Sequence, residues 1–416
     1  MKKRFISFIL ISWFVFDVFA GDPLTMQESE GLFIKNNFAL LAEQFNISIT
    51  RAQQLQAAVW PLPEAFVELN AYTPDQNKLL NVGQNGQKVL SVQQLVFLGG
   101  KKKAEIDLAR SNTRLAELYF KDVLHNLRFA LCKSYLTVYY DALSIDVLTT
   151  QMKQLDTLVK AYRVQVDKGN IPLKDLVRLQ YLFINLQNSR TELMADLAEE
   201  KRNWQMLMGV SVDYLPVPSA EELQRYNPNR KIELADVLLL AVSNRTDIAL
   251  RTEQINTTKL YYHWQQQLAK PDVTLGLSYD QQGGAFRNQL NLTVGMPLPF
   301  WNRNKGNIKA AAFEIQKAET GKSEILVQVE NEVKAVYSKY ILSAENLRML
   351  ASPDYKHFST VYKGIYENFQ RRNISLIEFT DFVESYHDAM MRFNQMQKNF
   401  AVTCEEVNHT VNALVF

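Results

Sequence analysis

The 416-residue sequence predicts a mainly α-helical, internally duplicated fold in which long antiparallel helices accompany a transmembrane β-barrel shared between copies of the chain. Three observations lead there. The chain repeats itself at a near-constant offset, the signature of duplicated architecture. Glycine (15) and proline (12) are sparse, so the elements run long and uninterrupted, as helices do. Two pairs of segments alternate apolar and polar residues with period two. Past residue 20 the longest clean apolar run, Val237 to Val242, is far too short for a membrane-spanning helix. The mature chain is then either soluble or crosses a membrane as a barrel, because only helices and closed barrels satisfy every backbone group in lipid.

The N-terminus carries Met1-Lys2-Lys3-Arg4, an apolar run from Phe5 to Phe16, and Val18-Phe19-Ala20 before Gly21-Asp22-Pro23. A basic start, a short apolar core and a small residue before a break describe a signal peptide over residues 1–20, too short to serve as a membrane anchor. The whole chain carries +2; removing Lys2, Lys3, Arg4 and Asp17 leaves the mature chain near neutral, which argues against a nucleic-acid partner. Cys132 and Cys404 fit neither a metal spacing nor a disulfide framework and read as packing residues. The five histidines (His125, His263, His357, His387, His409) form no i,i+4 pair and no cluster with cysteine, so no metal site is expected. Gly99-Gly100-Lys101-Lys102-Lys103 lacks the remainder of a phosphate loop; a strand-to-helix junction near a lipid–water boundary accounts better for its cations. No catalytic motif and no cofactor signature is present, and the chain is not expected to be an enzyme.

The repeat divides the chain into a first copy over residues 21–210, a linker over 211–231 and a second copy over 232–416. Leu24-Thr25-Met26-Gln27-Glu28 opens the first copy and Ile232-Glu233-Leu234-Ala235-Asp236 the second, 208 positions later. Asn36 meets Asn244 and Pro63 meets Pro271 at the same offset. After residue 95 the offset falls to 203: Leu95 meets Leu298, Phe97 meets Phe300, Asn170-Ile171 meets Asn373-Ile374, and Asp175 meets Glu378.

Each copy opens with a helical stretch broken near Asn36-Asn37 or Asn244-Arg245 and ended by a proline. A strand follows. Ala65, Val67, Leu69 and Ala71 alternate with polar neighbours in the first copy, and Val273, Leu275, Leu277 and Tyr279 in the second. A loop (73–87 or 281–287) leads to a second strand, where Leu290, Leu292, Val294 and Met296 alternate. In the partner strand, 89–98, Leu90 and Val92 fall one residue out of phase with the repeat alignment. A long helix then runs from Lys101 to about Lys168, and from Asn304 to about Arg371, roughly 100 Å at 1.5 Å per residue.

Tight turns at Gly169-Asn170-Ile171-Pro172 and Arg372-Asn373-Ile374-Ser375 reverse the chain. The return helices carry a three-four apolar seam: Leu176, Leu179, Phe183, Leu186, Leu193 and Leu197, and in the copy Phe379, Phe382, Tyr386, Ala389, Phe393, Met396 and Phe400. That spacing is the knobs-into-holes pattern of packed helices. Four strands cannot close a barrel. Two chains would give eight strands, whose interior side chains fill; three give twelve, wide enough for a channel. The same trimer brings together twelve helical rods, whose expected arrangement is a hollow cylinder continuing the barrel.

These features resemble the outer-membrane efflux protein (TolC-like) family over essentially all of the chain from Leu24 to about Asn412. The marks are the duplicated opening, the proline–strand–hairpin unit, and Leu298-Pro299-Phe300-Trp301-Asn302-Arg303-Asn304 with Gly306. The resemblance implies a homotrimeric passive duct in the cell outer membrane, with a periplasmic α-barrel. It implies work with a periplasmic adaptor protein and an inner-membrane efflux pump, exporting small molecules or metal ions. It also implies an adaptor-contact tip formed by Gly169, Asn170, Ile171 and Asp175 together with Asn373 and Ile374, although Arg371-Arg372-Asn373 departs from the usual glycine-containing turn. Glu378 and Asp381, with Glu384 one turn on, match the carboxylates that line the family's periplasmic aperture; a solvated acidic face near a helix N-terminus is the plainer reading. Two alternatives stay open: a periplasmic adaptor, which would carry one helical hairpin instead of two, and a soluble helical scaffold, which would leave the alternating strands unexplained.

Overall fold

A computed structural model of the chain describes residues 21–283, 285–350 and 358–416. The expected signal peptide lies outside the described residues. In chain order the elements are β1 (Asp22–Leu24), α1 (Met26–Asn36), α2 (Phe38–Ala58), β2 (Glu64–Leu69), β3 (Tyr72–Thr73), β4 (Lys78–Leu79), β5 (Gln87–Val96), α3 (Lys101–Asp167), α4 (Leu173–Met208), β6 (Tyr214–Pro216), α5 (Ala220–Arg225), α6 (Leu234–Asn244), α7 (Thr246–Leu268), β7 (Val273–Gln282), β8 (Phe286–Gly295), α8 (Lys305–Leu350), α9 (Phe358–Gln370) and α10 (Leu376–Val411). They fall into two compact units.

The first unit holds the chain up to Phe38, Leu124–Asn244 and Asn331–Phe416. It shows the duplication in its caps. Helix α1 and helix α6 start and stop 208 positions apart, and α4 and α10 start and stop 203 apart. Gly209 ends α4 at φ +64°, and Asn412 ends α10 at φ +52°. The two C-terminal residues meet the equivalent helix differently. At Gly209 an added Cβ would lie 2.5 Å from the Asn36 carbonyl oxygen, so glycine is required. At Asn412 the side-chain amide instead donates to the Asn244 carbonyl at 3.0 Å.

The core of this unit is the seam the helical spacing predicts. Leu148, Leu155 and Leu158 of α3 pack with Leu179, Leu182 and Leu186 of α4, Tyr362 and Phe369 of α9, and Phe379, Val383 and Tyr386 of α10. The seam is wider than expected: Leu182 and Val383 are fully buried, whereas Phe183 and Phe382 sit at its margin. Two elements had no sequence signal. Residues 22–24 of β1 pair in parallel with residues 214–216 of β6, tying the start of the chain to the linker. Within that linker, α5 opens with a capping box between Ser219 and Glu222.

The second unit, Ala39–Val123 with Arg245–Glu330, holds a four-stranded antiparallel sheet in the order β2-β5-β7-β8. Each copy supplies one hairpin, as expected, and the two hairpins join through β5 and β7. The loop expected at 73–87 contains the small β3–β4 hairpin and a 3₁₀ turn at Pro74–Gln76.

The sheet register corrects the repeat alignment. Val67 pairs with Leu90, Leu90 with Tyr279, and Tyr279 with Leu290; in the next such row Ala65, Val92, Leu277 and Leu292 are joined. Leu90 and Val92 are therefore in phase with the apolar face. Val67 corresponds to Leu275 at the 208 offset, and their partners are Leu90 and Val294, so the offset in this strand is 204. It is still 204 at the left-handed residues Gly100 and Asn304 that precede the long helices, and 203 at Gly169 and Arg372 that follow them. The one-residue difference thus belongs to the second long arm. That arm was expected as one helix; α8 and α9 account for most of it, and residues 351–357 lie outside the described residues.

Candidate functional site

Hydrogen bonds fold both reversing turns identically. At the first, the Gly169 N–H donates to the Val166 carbonyl (2.9 Å) and the Asn170 N–H to the Gln165 carbonyl (2.9 Å). At the second, Arg372 donates to Phe369 (3.0 Å) and Asn373 to Asn368 (2.9 Å). This is the Schellman helix stop, which satisfies orphan carbonyls through one left-handed residue. Gly169 takes that conformation at φ +71°, Arg372 at φ +61°. The sequence departure at Arg371-Arg372-Asn373 is therefore not a departure in backbone geometry. The side chains repeat as well: the Asn170 amide donates to the Gln165 carboxamide oxygen (2.8 Å), and the Asn373 amide to the Asn368 side-chain oxygen (3.0 Å).

The two turns are neighbours. Tyr162, seven residues before Gly169 of the first, stacks on Phe369 of the second arm with ring centroids 6.0 Å apart. Burial raises the Tyr162 hydroxyl pKa; the charges of Asp175 and Arg372, one from each side, act on it too. Around this pair Gly169, Asn170 and Asn373 are exposed, whereas Ile171, Asp175 and Ile374 are half-buried. The structure thus brings together all six candidate tip residues, with polar groups outward and Ile374 against the core beneath.

Glu378 and Asp381 stand just past the second turn on exposed positions of α10, and Glu384 and Asp388 continue the same stripe. Glu378 is committed locally. Its carboxylate accepts the Ser375 N–H at 2.8 Å, while the Ser375 hydroxyl accepts the Glu378 N–H at 3.2 Å. The backbone hydrogen bond, then the Ser375 side chain, hold the Glu378 carboxyl below its usual pKa. This capping box was readable as Ser375-x-x-Glu378. The acid nevertheless sits at the fully exposed surface.

Sequence reasoning missed a polar cluster inside the first unit. Lys398 of α10 donates to the Asp141 carboxylate at 2.6 Å, and Asn394 donates to Ser144 at 3.1 Å. Burial raises the pKa of Asp141 despite its partner lysine. The helical period does place Asn394 and Lys398 one turn apart, which is the available signal. It also missed the stacking of His125 on His409, with centroids 4.6 Å apart and rings 3° from parallel; they come from α3 and α10, too far apart in sequence to pair by inspection. Burial raises the pKa of both the Cys132 and Cys404 thiols. Among the described residues no group of three or more histidine, cysteine or acidic side chains could hold a metal ion, and no helix is long and apolar enough to cross a membrane.

Comparison with known proteins agrees with this architecture. No family model matches the chain. The cobalt-zinc-cadmium resistance protein CzcC of Cupriavidus metallidurans is 25% identical over 316 residues, 73% of this chain and 70% of that protein. The structure of CusC superposes with a TM-score of 0.72 at 15% identity, covering 93% of this chain and 92% of that one. The Campylobacter jejuni CmeC outer membrane channel superposes at 0.69 with 12% identity, covering 93% and 85%.

Proposed function

We propose that this chain, which belongs to the TolC-like family of outer-membrane efflux channels, is the outer-membrane duct of a tripartite efflux system whose cargo is divalent metal cations. It is exported by a signal peptide at residues 1–20 and assembles as a homotrimer in the outer membrane, with its helices in the periplasm. The observation that carries this reading is the sheet. Its apolar face is exposed on all four strands, with Leu277, Leu290, Leu292 and Val294 each more than half accessible. The polar residues Ser91, Ser278, Asn291 and Thr293 alternate with them. Four strands in the order β2-β5-β7-β8 leave β2 and β8 as edges. An open sheet with one apolar and one polar face is complete only when other copies pair with those edges. The resemblance to CzcC supports metal cations as cargo.

Crosslinking in outer-membrane fractions tests the assembly: products should stop at three subunits. A folded monomer retaining full β content in detergent would overturn it. Loss of the chain should sensitise cells to cobalt, zinc and cadmium; sensitisation to organic drugs alone would reassign the cargo.

The tip residues Gly169, Asn170, Ile171, Asp175, Asn373 and Ile374 are the contact for the periplasmic adaptor, which links the duct to the inner-membrane pump. A charged replacement at Ile171 should lower efflux with the amount of trimer unchanged; parallel loss of both would make the turn purely structural. Glu378 and Asp381 line the periplasmic aperture, three pairs per trimer. Acidic rings favour cations. Planar-bilayer conductance of Glu378→Gln with Asp381→Asn should show reduced cation preference and reduced block by trivalent cations. Unchanged values would leave these residues as a solvated helix cap.

A further inference from the structure

The two strand-to-helix junctions of the sheet are built from similar residues but use their charges differently. At the first, the cations of Lys101-Lys102-Lys103 are largely engaged within the unit. Lys101 is buried and paired with Asp272 at 2.7 Å, and Asp272 also accepts the Leu98 N–H at 3.2 Å. Lys102 pairs with Glu105 at 3.1 Å and lies over the Phe97 ring. Lys270 donates to the Gly99 carbonyl at 3.3 Å.

The second junction has no such carboxylates. From Leu298 to Phe313 the sequence holds Arg303, Lys305 and Lys309 and no acid. All three cations are exposed, and among the described residues none forms an ion pair. Lys305 and Lys309 stand one helical turn apart, on one face of α8. The Arg303 Nε donates to the Pro299 carbonyl at 3.2 Å, which anchors the guanidinium at the junction. Beside them Trp301 is 95% exposed and Phe300 64%. This segment follows directly from β8, the strand whose Leu290, Leu292 and Val294 form the most exposed part of the apolar face.

We infer that residues 300–309 form a docking surface for the phosphate headgroup of an anionic phospholipid, with Trp301 at headgroup depth and Arg303, Lys305 and Lys309 around the phosphate. The inference rests on the sheet being inserted in a membrane. Three features fit this occupant: continuity with the apolar face, an aromatic pair of the kind enriched at membrane interfaces, and an uncompensated cluster of three cations. A polyanion in solution would be served by the cations alone and gives no reason to expose an indole and a phenyl ring beside them.

The test uses the full-length assembly in mixed micelles doped with brominated phosphatidylglycerol or brominated phosphatidylcholine. Subtracting the Trp301→Phe fluorescence from that of the wild type isolates Trp301, and the Trp60→Phe variant isolates Trp60, which stacks on Phe97 beside the first junction with ring centroids 6.0 Å apart, as a second reporter. Phosphatidylglycerol should quench Trp301 at a concentration on the order of tenfold lower than phosphatidylcholine, and added salt should erode the preference. Each of Arg303→Gln, Lys305→Gln and Lys309→Gln should cut the preference roughly twofold, an equal share of the tenfold total, and Lys102→Gln should leave it in place. Equal quenching by the two lipids in the wild type, a comparison that needs no cation variant, overturns the inference. So does quenching of Trp60 alone, which would place Trp301 against a neighbouring subunit. If neither lipid quenches either tryptophan, the membrane reading of the sheet fails with it.

Discussion

The two reversing turns have the same backbone but obtain it from opposite ends. The first has glycine where the left-handed residue is needed, and then starts α4 from Pro172, which offers no side-chain cap. The second places Arg372 in the left-handed position, where a Cβ is unfavourable, and then starts α10 from a complete Ser375–Glu378 capping box. The aromatic support differs too. Phe369 and Phe379 stack at 4.2 Å beneath the second turn, where the positions equivalent by the 203 offset are Val166 and Leu176. Duplicated geometry therefore does not require duplicated residues. What persists is the pair of backbone hydrogen bonds, and the cost of fixing them has moved between cap, core and left-handed residue.

Three pairs of substitutions probe this difference. The largest effect is expected from Phe379→Ala, about 3–5 kcal/mol, because a fully buried ring is lost together with its stacking partner; Leu176→Ala should cost about 2–5 kcal/mol. Thermal melting of helical ellipticity in the purified assembly ranks the two, and a smaller shift for Phe379→Ala would remove the case for aromatic support. Next, Ser375→Ala should destabilise by about 1 kcal/mol, whereas Pro172→Ser should stabilise by a similar or smaller amount. No change in melting for either would mean the caps are not limiting. Arg372→Gly should raise stability by about 0.5–1 kcal/mol and Gly169→Arg should lower it by about 1 kcal/mol, with opposite signs as the discriminating result.

The smallest effect is pH dependence. Because the capping box holds the Glu378 carboxyl below its ordinary value of 4.5, its contribution is present above that value and lost as pH falls through the lowered pKa. The difference in melting between wild type and Glu378→Gln should accordingly shrink below about pH 4.5. A difference that stays constant to lower pH would show that the carboxylate charge plays no part.

Much of this was legible in the sequence because long helices write their pattern many times over. The seam of Leu179 and Leu186 with Phe379 and Tyr386, and both turns, follow from the three-four spacing and the repeat offset. The strands were harder. A one-residue slip moves every side chain of a strand to the other face, and the misphase of Leu90 and Val92 signalled such a slip without placing it. Pairing with β2 and β7 fixes both on the apolar face, and the β7–β8 register sets the offset at 204. The three-residue strands β1 and β6 carry no period at all. At the candidate aperture, the acidic spacing of Glu378 and Asp381 was visible, but Ser375-x-x-Glu378 also spells a cap, and that second role was not read. The Asp141–Lys398 pair is held by tertiary packing of α3 on α10, which no local pattern encodes.

The pairing of Asp22–Leu24 with Tyr214–Pro216 bears on how the chain is made. Export from the N-terminus delivers residues 22–24 early, yet their parallel partner follows only after the whole first copy. Closing so long a loop is less punishing than its length suggests, since each doubling adds only about 0.6 kcal/mol of closure entropy. It is slow, however, because distant segments must meet before any contact rewards them. Once made, the closure ties off the first copy using residues that all precede the second. The tie at Pro216 needs nothing beyond the linker, whereas the core that packs Leu179 and Leu186 on Phe379 and Tyr386 needs the whole chain.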